Sequence, residues 1–142
     1  MIKLRCDEKY QPKYMTAHSA ACDLYAREGA IIEPQQVIRV PVGVWIDSVD
    51  WNQVPEDCIP ELQVRARSGL SFKNSIMLAN GVGTVDADYP DEIGVLLYNG
   101  GLQSFEVTEG MRIAQIALNL VHRIPHLDVG GVRTGGFGST KV

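Results

Sequence analysis

From one end to the other, the chain is cut into short β-branched and aliphatic runs by Gly, Pro, Asn and Asp. An amphipathic helix needs an unbroken stretch with apolar residues every three or four positions, and little of this sequence leaves room for one. The 14 glycines fit frequent turns. Short strands with turn signals between them predict an all-β sandwich or barrel. There is no internal repeat and no low-complexity block, and a chain of 142 residues fits one domain.

The clearest strand is 36–46, where Ile38, Val40, Val42, Val44 and Ile46 alternate onto one face. Pro41 within it predicts an edge position or a bulge. Asp47 to Cys58 reads as an acidic loop. Over 61–67, Leu62, Val64 and Ala66 alternate with Glu61, Gln63, Arg65 and Arg67, so a strand presents Arg65 and Arg67 together on its polar face. Ser68 to Asn74 forms a short helix or turn, with Ser68 available as its N-cap. A further strand over 92–98 ends at the turn signal Asn99-Gly100-Gly101. Residues 112–122 fit helix and strand spacing alike. In a β-rich chain we read them as a strand. Its apolar side chains fall on both faces, which predicts cover from both sides and points to a subunit interface.

Composition excludes several functions. A net charge of -4 makes general binding to nucleic acid a poor fit, because phosphate contacts are made mainly by Lys and Arg. The three cysteines, Cys6, Cys22 and Cys58, are odd in number and form no C-x-x-C pair, which argues against a disulfide framework or a zinc site. Free thiols suit a reducing cytoplasm. His18, His122 and His126 form no metal-ligand spacing with them. No apolar run approaches the ~20 residues of a membrane span, and Met1-Ile2-Lys3-Leu4-Arg5 lacks the apolar stretch of a secretory signal.

After Pro125 the composition changes. Residues 128–142 hold five glycines and too little apolar surface to offset their own ordering, so residues 1–127 read as the β-domain and 128–142 as an arm that orders on a ligand. Within the arm, Arg133 supplies a planar fork suited to phosphate and Ser139 and Thr140 supply hydroxyls. The glycines let backbone N–H groups approach an anion, and Phe137 can stack on a planar base. Arg67-Ser68-Gly69-Leu70 is a compact phosphate grip, or simply a surface Arg beside a helix cap. Asn80-Gly81-Val82-Gly83-Thr84-Val85-Asp86-Ala87-Asp88-Tyr89 brings backbone close to a ligand and follows it with a carboxylate, or is an acidic turn. Asp23, between apolar neighbours, is either a structural hydrogen-bond acceptor or part of a metal site. Gln115, inside an apolar strand, needs a polar partner if buried.

Each signal alone is weak, but their order is specific. The chain resembles the trimeric dUTPase family, whose five motifs span nearly the whole domain. Ser19–Leu24, Arg67–Leu70, Asn80–Ile93, Gly110–Gln115 and Gly135–Thr140 match them in turn. The resemblance implies a distorted jelly-roll, or β-clip, assembled as a homotrimer in which the C-terminal arm crosses to a neighbour. It implies hydrolysis of dUTP to dUMP and pyrophosphate with Mg²⁺. By the same resemblance, Gly83, Thr84, Val85 and Gly94 read uracil, Asn80 supports that pocket, and Tyr89 packs under deoxyribose. Asp86 orients and deprotonates the attacking water. Arg67, Ser68, Gly69, Gln115 and Arg133 hold phosphates, Phe137 covers the base, and Gly138 and Ser139 lie near the phosphates. Asp23 binds water on a magnesium ion carried by the triphosphate. The chain departs from the usual family pattern at Ala21, Cys22, Ala66, Asp91 and Lys141, and Arg133 stands one residue nearer the Phe than usual.

Two rivals share this scaffold. A dCTP deaminase needs a carboxylate, usually Glu, against the base, whereas Arg67-Ser68-Gly69-Leu70 and the glycine tail favour dUTPase. A regulatory role would use the acidic loop as a surface for a protein partner.

Overall fold

The computed structural model describes residues 1–133; Phe137, Gly138 and Ser139 lie outside the described residues. In chain order the elements are β1 (Ile2–Cys6), β2 (Cys22–Tyr25), β3 (Ala30–Ile32), β4 (Val37–Pro41), β5 (Val44–Val49), β6 (Cys58–Arg65), α1 (Ser68–Asn74), β7 (Ile76–Leu78), β8 (Gly83–Val85), β9 (Gly94–Asn99), β10 (Phe105–Val107) and β11 (Arg112–His122).

Alternation builds the core. In β6, Cys58, Pro60, Leu62 and Val64 are buried while the residues between them are half-buried. In β9, Val95, Leu97 and Asn99 turn inward. These faces meet Leu24, Ile32, Val40, Val42, Val44, Ile76, Ile93, Ile113 and Ile116 in one apolar cluster. Burying such a side chain stabilises the fold by roughly 1.5–3 kcal/mol. Asn99, 1 % exposed, is a polar residue in this interior. Its amide donates to the carbonyls of Ile32 and Gln103, both at 2.8 Å, and its oxygen accepts from Gly101 N–H at 2.9 Å. Each polar atom therefore has a partner and its burial costs little.

The strands pair antiparallel in four small sheets, β1-β5, β10-β3, β2-β11-β6-β8 and β4-β9-β7. This is the all-β jelly-roll that the sequence implied. The strand expected at 112–122 is present as β11, between β2 and β6. Its first half is buried, with Ile113, Ala114, Ile116 and Ala117 at 5 % exposure or less. Its second half shows Leu118, Leu120 and Val121 to solvent. The double cover expected for this strand is thus absent over that second half in the single chain.

Five local expectations need correction. The run 36–46 is two strands, because the chain turns at Gly43 with φ +67; Pro41 ends β4, which is an edge strand as its proline requires. The acidic loop is shorter than Asp47 to Cys58, since β5 runs to Val49 and a 3-10 turn occupies Trp51–Gln53. β6 stops at Arg65, so Arg65 and Arg67 do not share a strand face. Arg65 donates to Gln63 at 2.8 Å, whereas Arg67 donates to the carbonyl of Arg112 at 3.0 Å. The N-cap of α1 is therefore Arg67 rather than Ser68, and no side chain caps the helix. The strand expected over 92–98 begins later, at Gly94.

Candidate active site

Strand β8 lies against β6, with Val64 opposite Gly83, Gln63 opposite Thr84 and Leu62 opposite Val85. Glycine suits position 83 because a Cβ there would be crowded, 3.1 Å from Val64 Cβ and 3.4 Å from Asn80 Nδ2. Gly81, with φ +71, makes the turn that precedes β8. Past β8 the chain folds back through a turn closed by Tyr89 N–H on the Asp86 carbonyl at 3.0 Å.

These constraints leave a cavity of about 170 Å³ lined by Val64, Asn80, Gly83, Thr84, Val85, Tyr89, Ile93, Gly94, Leu96 and Arg133. It gathers Asn80, Gly83, Thr84, Val85, Tyr89 and Gly94 of the residues assigned to uracil and sugar, and brings Arg133 to the same place; Phe137, assigned to cover the base, lies outside the described residues. Tyr89 is only 8 % exposed, and its hydroxyl donates to the Glu92 carbonyl at 3.3 Å. Asp86 follows Val85 directly, and its carboxylate receives Arg133 Nη1. Arg133 also lies 3.8 Å from Asp88 Oδ1, with its guanidinium carbon 5.5 Å from the Tyr89 ring centre.

The remaining assigned residues form a second group that does not line the cavity. Gln115 on β11 faces both Asp23 on β2 and Arg65 on β6. Its amide donates to the Ala66 carbonyl at 2.9 Å. Arg112 donates to Asp23 Oδ2 at 3.1 Å, while Arg67 holds the Arg112 carbonyl. Ser68 and Gly69 follow, exposed at the start of α1. The two guanidinium groups and the amide are donors of the kind that hold an anion; the one buried carboxylate beside them, Asp23, is engaged by Arg112.

Sequence reading missed the residues that brace the cavity from behind. Glu92 accepts from Arg27 Nε at 2.7 Å, Arg27 Nη2 at 3.0 Å and Gly43 N–H at 2.7 Å. Burial alone would push its carboxyl up. The bonds from Arg27 and Gly43, with the charges of Arg27 and Arg39, outweigh burial and hold it below the usual carboxylate range. Arg39 donates to the Glu92 carbonyl at 2.8 Å. The only local signal was a charged residue just before a strand; its partner Arg27 is 65 positions away. Cys58 and His122 were likewise unlinked by spacing, yet they pair across β6 and β11 with Sγ 3.4 Å from Nδ1.

Among the described residues, no three His, Cys, Asp or Glu gather as a metal cluster. One carboxylate, Asp23, stands in the anion-suited group, and Arg112 engages one of its oxygens. That donor set fits an ion brought in by a polyphosphate and met through water.

The family model for dUTPase matches residues 7–141. Deoxyuridine 5'-triphosphate nucleotidohydrolase of Rickettsia canadensis is 39% identical over 138 residues, covering 92% of this chain and 88% of that protein. The crystal structure of dUTPase from Streptococcus mutans superposes with a TM-score of 0.68 at 26% identity, covering 90% of this chain and 98% of that one. A dUTPase mutant from phage phi11 of S. aureus, described with a coordinated structural Mg(II) ion, superposes with a TM-score of 0.71 at 18% identity, covering 94% and 99%. A match over nearly the full length, on a fold that gathers the base-pocket motif around one cavity, shows that this chain belongs to the dUTPase family of enzymes that hydrolyse dUTP.

Proposed function

We propose that the chain hydrolyses dUTP to dUMP and pyrophosphate by attack of an Asp86-activated water on the α-phosphorus. The observation that carries this reading is the placement of Asp86 directly after β8, next to Val85 and bonded to Arg133, both of which line the cavity with Tyr89. Backbone N–H and C=O groups of Gly83, Thr84 and Val85 have the donor and acceptor character to read a pyrimidine edge. Asn80 supports that edge, Gly94 leaves room for it, and Tyr89 offers its face to deoxyribose. Asp86 takes the water proton as the new oxygen–phosphorus bond forms and the bond to pyrophosphate breaks, with the electron pair leaving on pyrophosphate.

Arg67, Ser68, Gly69 and Gln115 hold phosphate oxygens, and Arg133 and the arm residues Phe137, Gly138 and Ser139 close over the nucleotide. Asp23 would hold, through water, a Mg²⁺ ion brought in by the triphosphate. When bound, the ion neutralises phosphate charge and improves pyrophosphate as a leaving group. Arg67, Ser68, Gly69 and Gln115 are not among the residues lining the base cavity of the same chain, which supports a homotrimer whose neighbours each complete a site. The exposed Leu118, Leu120 and Val121 of β11 supply apolar surface for that assembly. In the cell, the reaction would limit uracil in DNA and supply dUMP for dTMP synthesis.

No glutamate is among the residues lining the cavity, which weighs against deamination of a cytosine there. The test is a panel of dUTP, UTP, dTTP and dCTP with Mg²⁺, scored for pyrophosphate and ammonia. Pyrophosphate from dUTP alone is expected. Uncleaved dUTP, or ammonia from dCTP, would sink the reading.

A further inference from the structure

The turn that carries Asp86 and Tyr89 is held by more than its strands. Glu92 closes it and is fastened at both ends. The carboxylate is gripped by the Arg27 fork and by Gly43 N–H, which belong to the β2–β3 connection and the β4–β5 turn. The carbonyl of the same residue receives the Tyr89 hydroxyl at 3.3 Å and Arg39 Nη2 at 2.8 Å. One residue thus ties the rigid part of the barrel to the aromatic wall of the cavity. Flanking bonds fix its neighbour as well, with Val42 N–H on the Ile93 carbonyl at 3.2 Å and Ile93 N–H on the Val44 carbonyl at 2.8 Å.

A purely structural ion pair would need only the carboxylate. The second attachment goes further, because the buried Tyr89 ring takes its tilt from where its hydroxyl lands. Arg39 occupies the other side: a Cβ at Gly94 would lie 2.4 Å from Arg39 Nε. Its guanidinium therefore fills the space next to the cavity that a side chain at 94 would take.

We propose that Glu92, clamped between Arg27 and Arg39, is a positioning residue for sugar selection, holding the Tyr89 ring so that a ribose 2'-hydroxyl finds no room. The inference rests on the reading of Tyr89 as the sugar wall. An apolar wall rejects an added hydroxyl by only about 10²-fold even when well placed. A wall that yields loses much of that, since small misplacements near a reacting centre are costly. Asp86 directly follows β8, whose pairing with β6 the clamp does not touch, so turnover of dUTP should change less than the sugar preference.

The experiment measures kcat/KM for dUTP and UTP with Mg²⁺ in wild type, Glu92→Gln, Arg39→Gln, Arg27→Lys and Tyr89→Phe, alongside thermal denaturation. In Glu92→Gln and Arg39→Gln the preference for dUTP should fall about tenfold, while kcat on dUTP stays within about threefold. Arg27→Lys keeps the charge without the fork and should fall between these and wild type. Tyr89→Phe should lose the same preference with Glu92 intact. Folded variants with lowered melting temperature and unchanged preference would make Glu92 a fold determinant only and overturn the proposal. If Glu92→Gln does not fold, the exposed Arg39→Gln decides alone, and an unchanged preference there overturns it. Failure of the underlying reading shows separately: a wild-type enzyme cleaving UTP as readily as dUTP removes the sugar wall, and the proposal with it.

Discussion

Arg133 Nη1 donates to Asp86 Oδ2 across 47 positions of sequence, joining the start of the glycine-rich arm to the proposed base. The Asp86 side chain is 51% exposed, and ion pairs of such exposure contribute only ~0.2–1 kcal/mol. A phosphate offers the guanidinium fork a stronger, charge-assisted pair. Arg133 should therefore leave Asp86 for the triphosphate when substrate enters. Arg133→Ala is expected to raise KM for dUTP about tenfold with a smaller change in kcat. Arg133→Lys, which keeps the charge but not the fork, should be intermediate. Steady-state kinetics at two ionic strengths checks this, and an unchanged KM would place Arg133 outside the substrate contacts.

The two stages of reading differ at specific residues. α1 was legible from a local signal, a polar, glycine-containing break after alternation, whereas β11, whose spacing fits helix and strand alike, was legible from the β-rich chain around it. The pocket residues Asn80 to Tyr89 were legible because one segment supplies most of them. The break at Gly43 was hidden because Val40, Val42 and Val44 keep the period of two on either side of the turn, all three buried at 1 % or less. Pro41 and Gly43 together are turn punctuation, and the alternation masked it. The Arg27–Glu92 and Asp23–Arg112 pairs could not be read at all. Their partners lie 65 and 89 positions apart, and only the packing of β2, β9 and β11 decides which charges meet.

Gly43 is the position where a single methyl should be felt in stability. Its φ of +67 strains any L side chain, and a Cβ would lie 2.9 Å from Tyr10 Cδ2. Its N–H is also one of the three donors on Glu92. Gly43→Ala is expected to destabilise the fold by roughly 1–2 kcal/mol, seen as a lower urea midpoint with unchanged slope. No shift in midpoint would mean that the turn relaxes without penalty.

Acid should unfasten the same clamp. Burial by itself raises the Glu92 carboxyl, but hydrogen bonds from Arg27 and Gly43 and the charges of Arg27 and Arg39 leave it below its ordinary value. The unfolded chain then binds the proton more readily than the native one. Stability from Glu92 is thus complete above the ordinary carboxylate range and is lost as pH falls through the lowered native value. Glu109 is shifted the same way by bonds from Lys9 and Tyr10, but that pair is exposed and salt screens it. In moderate salt, Glu92→Gln should therefore flatten the acid limb of stability against pH. An acid limb as steep as that of wild type would assign the transition to other carboxylates.

Whether the arm serves its own chain or a neighbour is decided by complementation. Residues 121–132 are all exposed, with Val129 at 73% and Val132 at 96%, so the segment leading to Arg133 buries little on its own chain. Arg67, Ser68, Gly69 and Gln115, proposed to hold phosphates, do not line that chain's cavity, whereas Arg133 does and meets its own Asp86, so a shared site and a self-contained one predict different outcomes. Asp86→Asn keeps the shape of the base without its proton affinity, and alone should lose roughly 10²–10⁴-fold in turnover while still binding dUTP. A chain ending at residue 127 retains all the described strands but lacks the arm, and should also be nearly inactive. Unfolded together and refolded into mixed assemblies, the two should regain activity if the proposed trimer forms, because a truncated chain's Asp86 can then meet an arm from an Asp86→Asn neighbour. If each arm closed only its own pocket, no mixture would contain a complete site, and activity would stay at the level of the separate variants.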